Sequence, residues 1–199
     1  MKDSELRQCY APAIERAKLK SMRMLDAHCR NFIARSPFLC LGTSSDEGAD
    51  VTPRGDQPGF VRVLDDRVIA IPDWPGNNRL DSLTNILTNP QVGLLFLIPG
   101  MDETLRLNGS AEISTDPEIL KLWDVNGKQP KSALVVTIGE VFLHCAKALI
   151  RSRLWKDDYK MERSEMPSYA RMLKDQIDVR DTAKEIEASV AHSYAERLY

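Results

Sequence analysis

Several features are scarce in this 199-residue sequence, and each scarcity excludes a class of protein. The four cysteines are scattered without a C-x-x-C pair, so we expect neither a disulfide framework nor a structural zinc site. The most apolar window, Val92 to Ile98, is far shorter than the ~20 residues of a membrane span. Lys and Arg number 27 against 29 Asp and Glu, a net charge of −2, which indicates neither a nucleic-acid nor a membrane partner.

The ten glycines lack the spacing of phosphate-binding loops. No two of them lie two residues apart, so the G-x-G-x-x-G pattern of dinucleotide-binding folds is absent. Gly127 and Lys128 lack the earlier glycine of a Walker loop, because position 122 is Leu. A bound phosphate must therefore be held by side chains and helix ends.

The histidines and the N-terminal residues bear on two further classes, metal-binding proteins and secreted proteins. His28-Cys29 and His144-Cys145 are adjacent pairs whose side chains diverge on a strand or a helix, so we expect no metal site. The N-terminal stretch MKDSELRQCYAPAIERAKLK has no apolar signal core, and we expect a cytoplasmic protein.

Hydrophobic periodicity and turn residues predict short strands with helices around them. The predicted helices cover Ala13–Arg35, Asn77–Thr88, a start at Asp116-Pro117, and Asp181–Leu198. The predicted strands lie at Phe38–Thr43, Val51–Thr52, Phe60–Leu64, Val68–Ile71, Gln91–Ile98, Thr104–Ser114 and within Ala133–Leu149, with turn chemistry over Ser44–Asp50. Short turns between about six strands favour a small closed sheet over a doubly wound parallel one.

Three stretches combine arginine with turn residues or a helix start. Thr52–Phe60 predicts a rigid turn that presents Arg54, Ile71–Leu83 runs from a strand end into a helix, and Thr104–Arg106 opens a strand. The helix start suits an anion because Asn77 or Asn78 would cap it, Arg79 can fork onto a phosphate, and Ser82 follows one turn later. Alternatively, the asparagines only cap the helix, and Arg54 and Arg106 pair with Asp56, Asp73 or Glu103.

From about Ser36 to Trp155 the sequence resembles the pyridoxamine 5′-phosphate oxidase-like family of flavoproteins. The resemblance rests on SPFLCLGTSS, TPRGDQPGFV, IPDWPGNNRLDSLTNILTNPQVGLLFLIPG, ETLRLNGSAEIS and HCAKALIRSRLW, in that order. It implies a mainly β fold with flanking helices (α+β), an antiparallel Greek-key split β-barrel that binds flavin mononucleotide (FMN). The implied division is a helical arm over 1–35, the barrel over 36–155 and a charged helical extension over 156–199.

The resemblance also implies a homodimer with the cofactor at the subunit interface, acting as an FMN-dependent oxidoreductase on a small-molecule substrate. The C-terminus of this sequence departs from that of the true oxidase, so the substrate stays unassigned. The implied cofactor-binding residues are Arg54, Ile71, Pro72, Asp73, Asn78, Arg79, Ser82, Thr104, Arg106, Lys147, Arg151 and Trp155.

Other readings stay open at this point. The barrel could hold flavin or haem for storage or sensing, with His144 as the haem ligand, or serve a deazaflavin-dependent reductase. No side chain stands out as a general base, which agrees with a cofactor that carries the chemistry. A second copy would also cover an apolar stripe that includes Leu25 and Phe32 of the first helix.

Overall fold

The computed structural model describes residues 2–196 and 199, and its centre is one antiparallel sheet of seven strands. The strands are β1 Phe38–Ser45, β2 Gly48–Gly55, β3 Arg62–Val63, β4 Val68–Asp73, β5 Gln91–Leu97, β6 Thr104–Ser114 and β7 Ser132–His144. Hydrogen bonds join them in the order β2-β1-β5-β6-β7-β4-β3, so β2 and β3 form the two edges. The predicted closed sheet is wrong, because these two edges do not pair with each other. The antiparallel sheet with helices on its flanks confirms the predicted split-barrel fold class.

The strands form because apolar residues alternate along them and share one core. Leu39 and Leu41 of β1 are fully buried, while Cys40 between them faces the other side of the sheet. Between Asn108 and Gly109 of β6 the register against β7 shifts by one residue at a bulge, because β7 carries the extra residue Gly139 at this point. A Cβ atom on Gly109 would lie 2.3 Å from the carbonyl oxygen of Thr137, so this crossing requires glycine.

Eight α-helices surround the sheet in the part of the chain that the structure describes. The fourth helix closes one end of the barrel against β1 and β6, and the last two pack on each other. The helices are α1 Asp3–Cys9, α2 Glu15–Leu19, α3 Ala27–Arg35, α4 Asp81–Thr88, α5 Pro117–Leu120, α6 Lys147–Ser152, α7 Tyr169–Gln176 and α8 Ala183–Glu196. Pro117 follows the capping side chain of Asp116, as predicted. Leu198, at the predicted end of the last helix, lies outside the described residues.

The single helix predicted over Ala13–Arg35 is wrong, because the chain between α2 and α3 is extended against the sheet. Met22 forms a bridge with Val141, and the Leu25 N–H donates to the carbonyl of Asp66. These long-range bonds replace the helical ones. The inferred need of a partner over Leu25 and Phe32 is also wrong, since the chain itself buries both side chains, at 5% and 4% exposure.

Two further sequence predictions differ from the structure at turns, and a third differs in the number of strands. The predicted turn Thr52–Phe60 starts too early, because β2 pairs with β1 through Gly55. The turn predicted over Ser44–Asp50 shrinks to Asp46-Glu47, since cross-strand pairing extends both strands toward it. The sheet has seven strands rather than about six, with the two-residue β3 as the shortest.

Candidate functional site

Five of the twelve predicted cofactor-binding residues line one cavity of about 400 Å³, hereafter the first cavity. It lies between β2, the end of β4, the connection 74–80 and the start of α4. The five residues are Arg54, Asp73, Asn78, Arg79 and Ser82. Arg54 comes from the first of the three stretches and the other four residues from the second, so the fold brings two of the stretches together.

An ion pair forms the wall of the first cavity. The Arg54 guanidinium donates to Asp73 Oδ1 at 2.5 Å, and the two side chains are only 19% and 17% exposed. This is one of the surface pairings weighed above, although it is largely buried. The Nε atom of Arg54 is itself buried and lacks a hydrogen-bond partner within the described chain. A buried donor without a partner is costly. The Nε–H of Arg54 is such a donor, and it remains unused in the wall of the first cavity.

The start of α4 differs from its prediction. The helix begins at Asp81 rather than Asn77, and no side chain caps it. The predicted capping role of Asn77 and Asn78 is therefore wrong. Asn77 instead accepts a hydrogen bond from the Arg79 N–H at 3.0 Å within the preceding turn. The backbone turns sharply here, with Asn78 and Leu80 at φ 59° and 61°, a region that non-glycine residues rarely adopt.

Arg79 and Ser82 differ in how firmly the fold holds them. Ser82 is buried at 3% exposure and its hydroxyl lies 2.9 Å from that of Thr52. The Arg79 side chain is 77% exposed and its Nε donates to Asp81 at 2.5 Å. Since that pair uses only Nε, the two terminal nitrogens of the guanidinium stay available to an anion.

The sequence reasoning did not select three other residues around the first cavity, Thr52, Trp74 and Lys131. Thr52 and Trp74 lie inside stretches that drew attention, but nothing local marked them. Lys131 precedes β7, and its backbone N–H donates to the Asp73 carbonyl at 3.3 Å. Only the pairing of β4 with β7 brings Lys131 to this place.

Trp74 forms the aromatic wall of the first cavity, and Asp56 and Tyr199 hold it in place. The Trp74 indole N–H donates to Asp56 Oδ2 at 3.0 Å. The Tyr199 hydroxyl donates to the other oxygen of the same carboxylate at 2.7 Å, and its ring meets that of Trp74 edge-on at 5.1 Å. Because the hydroxyl donates to a carboxylate, the pKa of Tyr199 is raised.

Thr104 and Arg106 line a second cavity of about 460 Å³ on the opposite face of the sheet. The alternation along β2 shows the separation, since Thr52 lines the first cavity and its neighbour Val51 lines the second. His144 also borders the second cavity, and its Nδ1 is buried without a partner within the described chain. Burial, with the Lys20 and Arg106 charges, lowers the pKa of His144.

The other predicted residues border neither cavity. Ile71 packs in the core and Pro72 is buried beside it on β4. Lys147 and Arg151 are exposed on α6. The Trp155 indole N–H donates to the Met101 carbonyl at 2.9 Å, so this side chain braces the loop before β6.

Among residues 2–196 and 199, no group of three or more His, Cys, Asp or Glu side chains is placed to hold a metal ion. Among the same residues, no helix has both the length and the apolar character to cross a membrane.

The antiparallel sheet, its helical end closure and the cavity beside β2 define a split-barrel protein. The sequence model of the family described as pyridoxamine 5′-phosphate oxidase matches residues 25–145, more than half of the chain. The chain therefore belongs to the pyridoxamine 5′-phosphate oxidase family, which confirms the resemblance. No curated protein matches the sequence.

Solved structures share the fold at low sequence identity. HupZ of Group A Streptococcus has a TM-score of 0.50 and 18% identity, over 60% of this chain and 94% of that chain. A substituted form of HupZ gives 0.50 and 19%, over 61% and 100%. An FMN-binding protein from Syntrophomonas wolfei gives 0.46 and 17%, over 58% and 83%. At these identities the likeness to HupZ shows the fold alone.

Proposed function

We propose that this protein binds FMN in the first cavity and is an FMN-dependent oxidoreductase. Membership of the pyridoxamine 5′-phosphate oxidase family supports a flavin as the cofactor. The observation that carries the assignment to this place is the buried, unpartnered Nε of Arg54 in the cavity wall. A ligand with an acceptor oxygen would satisfy this donor.

The residues of the first cavity fit the parts of FMN. Arg79 and the uncapped start of α4 supply donors for a phosphate. Asp73, which uses Oδ1 for Arg54, keeps a second carboxylate oxygen for a ribityl hydroxyl. Asp81 opposes a phosphate by its charge, so binding requires Arg79 to turn its free nitrogens toward the ligand.

Bound FMN supplies hydride and electron transfer, while the protein binds and orients it and excludes water. Trp74, held by Asp56, would limit the access of water to the first cavity. Arg54 would stabilise negative charge on the ligand, because its guanidinium is largely removed from water.

We also propose a homodimer with the cofactor at the subunit interface. Thr104 and Arg106 lie on the face of the sheet opposite to the first cavity, so they cannot contact a ligand in the first cavity of the same chain. A second copy that docks this face beside the first cavity would supply Thr104 and Arg106 to the ligand. The exposed Lys147 and Arg151 lie on α6, next to that face.

The visible absorbance of the purified protein, with release and identification of any chromophore, is the first experiment. We expect FMN; a released haem or deazaflavin would contradict the proposal, as would a colourless protein that does not bind added FMN. Reduction by a nicotinamide donor and reoxidation would separate an enzyme from a storage protein.

Substitution then locates the site. Loss of a charge-assisted hydrogen bond costs about 1.5–3 kcal/mol, so Arg79→Ala should raise the FMN dissociation constant about 10- to 150-fold. Arg67→Ala is the matched control, since Arg67 is an exposed arginine on the turn between β3 and β4. Equal dissociation constants for the two variants would contradict the assignment of the phosphate to Arg79.

A further inference from the structure

The charged extension that follows the barrel makes few polar bonds to the rest of the protein. Among the described residues, every hydrogen bond and ion pair of residues 156–196 ends at Arg153 or within this stretch itself. The helices α7 and α8 of the extension pack mainly on each other. The place of the extension beside the barrel therefore depends largely on contacts that lie beyond Glu196.

Tyr199, three residues beyond the end of α8, makes the bonds to the barrel that residues 156–196 lack. Its main-chain oxygen accepts from Lys128 Nζ at 3.1 Å, and its hydroxyl donates to Asp56 Oδ1 at 2.7 Å. Trp74, which donates to the other oxygen of Asp56, borders both the first cavity and a smaller cavity of about 260 Å³ that Tyr199 also lines. The far end of the extension is thus bonded to the carboxylate that holds the aromatic wall of the first cavity.

The connection 74–80 also depends on that carboxylate. Most of the connection is exposed, and it lies outside the helices and strands. Asn78 and Leu80 within it have positive φ, a conformation that persists only where surrounding contacts hold it. Among the described residues, the bond from Trp74 to Asp56 is the only hydrogen bond that joins this connection to the barrel. The position of the arginine that the connection carries therefore depends on the anchoring of Trp74.

We propose that the extension is a strap, latched by Tyr199, that regulates the exchange of the ligand of the first cavity. With Tyr199 docked, Trp74 and the connection 74–80 are held in place, and Arg79 stays beside the bound phosphate. With Tyr199 released, the connection moves away and the cavity opens. A ligand that requires the closed connection must strengthen the docking of Tyr199 by the same factor by which docking strengthens the ligand. The naming of FMN as that ligand rests on the proposed function, whereas the coupling of Tyr199 to the connection does not.

Trypsin cleavage of the FMN-free, full-length protein tests the coupling itself. Tyr199→Ala removes both the hydroxyl and the ring, so we expect cleavage after Arg79 to become at least about fivefold faster, because the connection is open for a larger share of the time. Tyr194→Ala is the matched control, since Tyr194 is an exposed tyrosine of α8, and it should leave this rate unchanged. Cleavage after Arg67, on the exposed turn between β3 and β4, reports on the whole fold. An unchanged rate after Arg79, or an equal acceleration after Arg67, would overturn the strap.

The release of FMN from the loaded protein tests the regulation, and the change in flavin fluorescence after rapid dilution measures it. Tyr199→Ala should raise the dissociation rate constant at least about fivefold, and Tyr199→Phe, which keeps the ring, should give a smaller increase. The association rate constant should not fall, because an open cavity admits FMN at least as fast, whereas a damaged cavity binds it slowly. Release at the rate of Tyr194→Ala in both variants would overturn the strap and leave the proposed function standing. Faster cleavage after Arg79 in a protein that never binds FMN would support the coupling and contradict only the proposed function.

Discussion

The ion pair of Arg54 and Asp73 gives the sharpest test of the first cavity. Arg54→Met keeps the length of the side chain and removes its charge, which leaves the Asp73 carboxylate without its partner. Breaking a fully buried pair by removing one member costs about 3–5 kcal/mol. Because 19% and 17% of these side chains remain exposed, water compensates part of that loss, and we expect about 2–3 kcal/mol.

A second substitution should restore most of the stability. In the double variant Arg54→Met/Asp73→Leu no charge is left unpaired, and two apolar side chains replace a desolvated pair. We therefore expect it to be more stable than Arg54→Met alone by about 1–2 kcal/mol. The same double variant should bind FMN poorly, because the charged donor of the cavity wall is gone.

Urea unfolding of the FMN-free protein, followed by tryptophan fluorescence, measures these differences. Arg171→Met is the matched control, since Arg171 pairs with Asp175 at 2.8 Å on the exposed surface of α7. We expect that control to change the free energy of unfolding by no more than about 0.5 kcal/mol. A cost of Arg54→Met equal to the control, or a double variant no more stable than Arg54→Met, would refute the reasoning.

Three further predictions concern the barrel and its surface. Gly109→Ala should lower the free energy of unfolding by about 1–3 kcal/mol through the backbone clash at the bulge, whereas Gly76→Ala, with open space around it, should change it little in the same urea experiment. Because the raised pKa of Tyr199 means that its proton stabilises the fold, this contribution is present below pH 10.0 and lost above it, and Tyr199→Phe should flatten the alkaline part of a thermal stability curve. Burial raises the pKa of the Cys29 thiol to about 12, so iodoacetamide at neutral pH should label the exposed Cys145 and spare Cys29 in peptide mass spectrometry.

Each of these predictions has a clear contrary result. Equal stability of the Gly109→Ala and Gly76→Ala variants would mean that the bulge relaxes without cost. A Tyr199→Phe protein with unchanged alkaline sensitivity would show that the bond to Asp56 does not persist in solution. Labelling of Cys29 at the rate of Cys145 would show that α3 opens readily from the sheet.

Local sequence signals located most of the strands, because strand formation here follows from alternation between neighbouring residues. Thr104–Ser114 was predicted to the residue, and the Asn89-Pro90 stop separates α4 from β5 where expected. Such reasoning found only part of the candidate site. The arginine and serine of the α4 start were recognisable from their helix signal, but Lys131 had no local mark at all.

Local sequence patterns did not predict the segments whose conformation depends on contacts with distant residues or on an unusual turn. The stretch around Met22 has a helical period, yet bonds to Val141 draw it into an extended conformation. Asn77 looked like a helix cap, and the left-handed turn through Leu80 gave it another role. In each case the energy of a tertiary contact or a turn exceeded a weak local preference.

The family, the antiparallel strands and the residue types that suit an anion could all be recognised from the amino-acid sequence. The pairing of Arg54 with Asp73 and the position of Arg106 on the other face of the sheet could be seen only in the folded chain. The physical reason is the period of two along a strand: cross-strand register, which depends on long-range hydrogen bonds, fixes which face each side chain takes. Composition and spacing therefore identify the candidate side chains, and the register of the sheet determines which cavity each side chain lines.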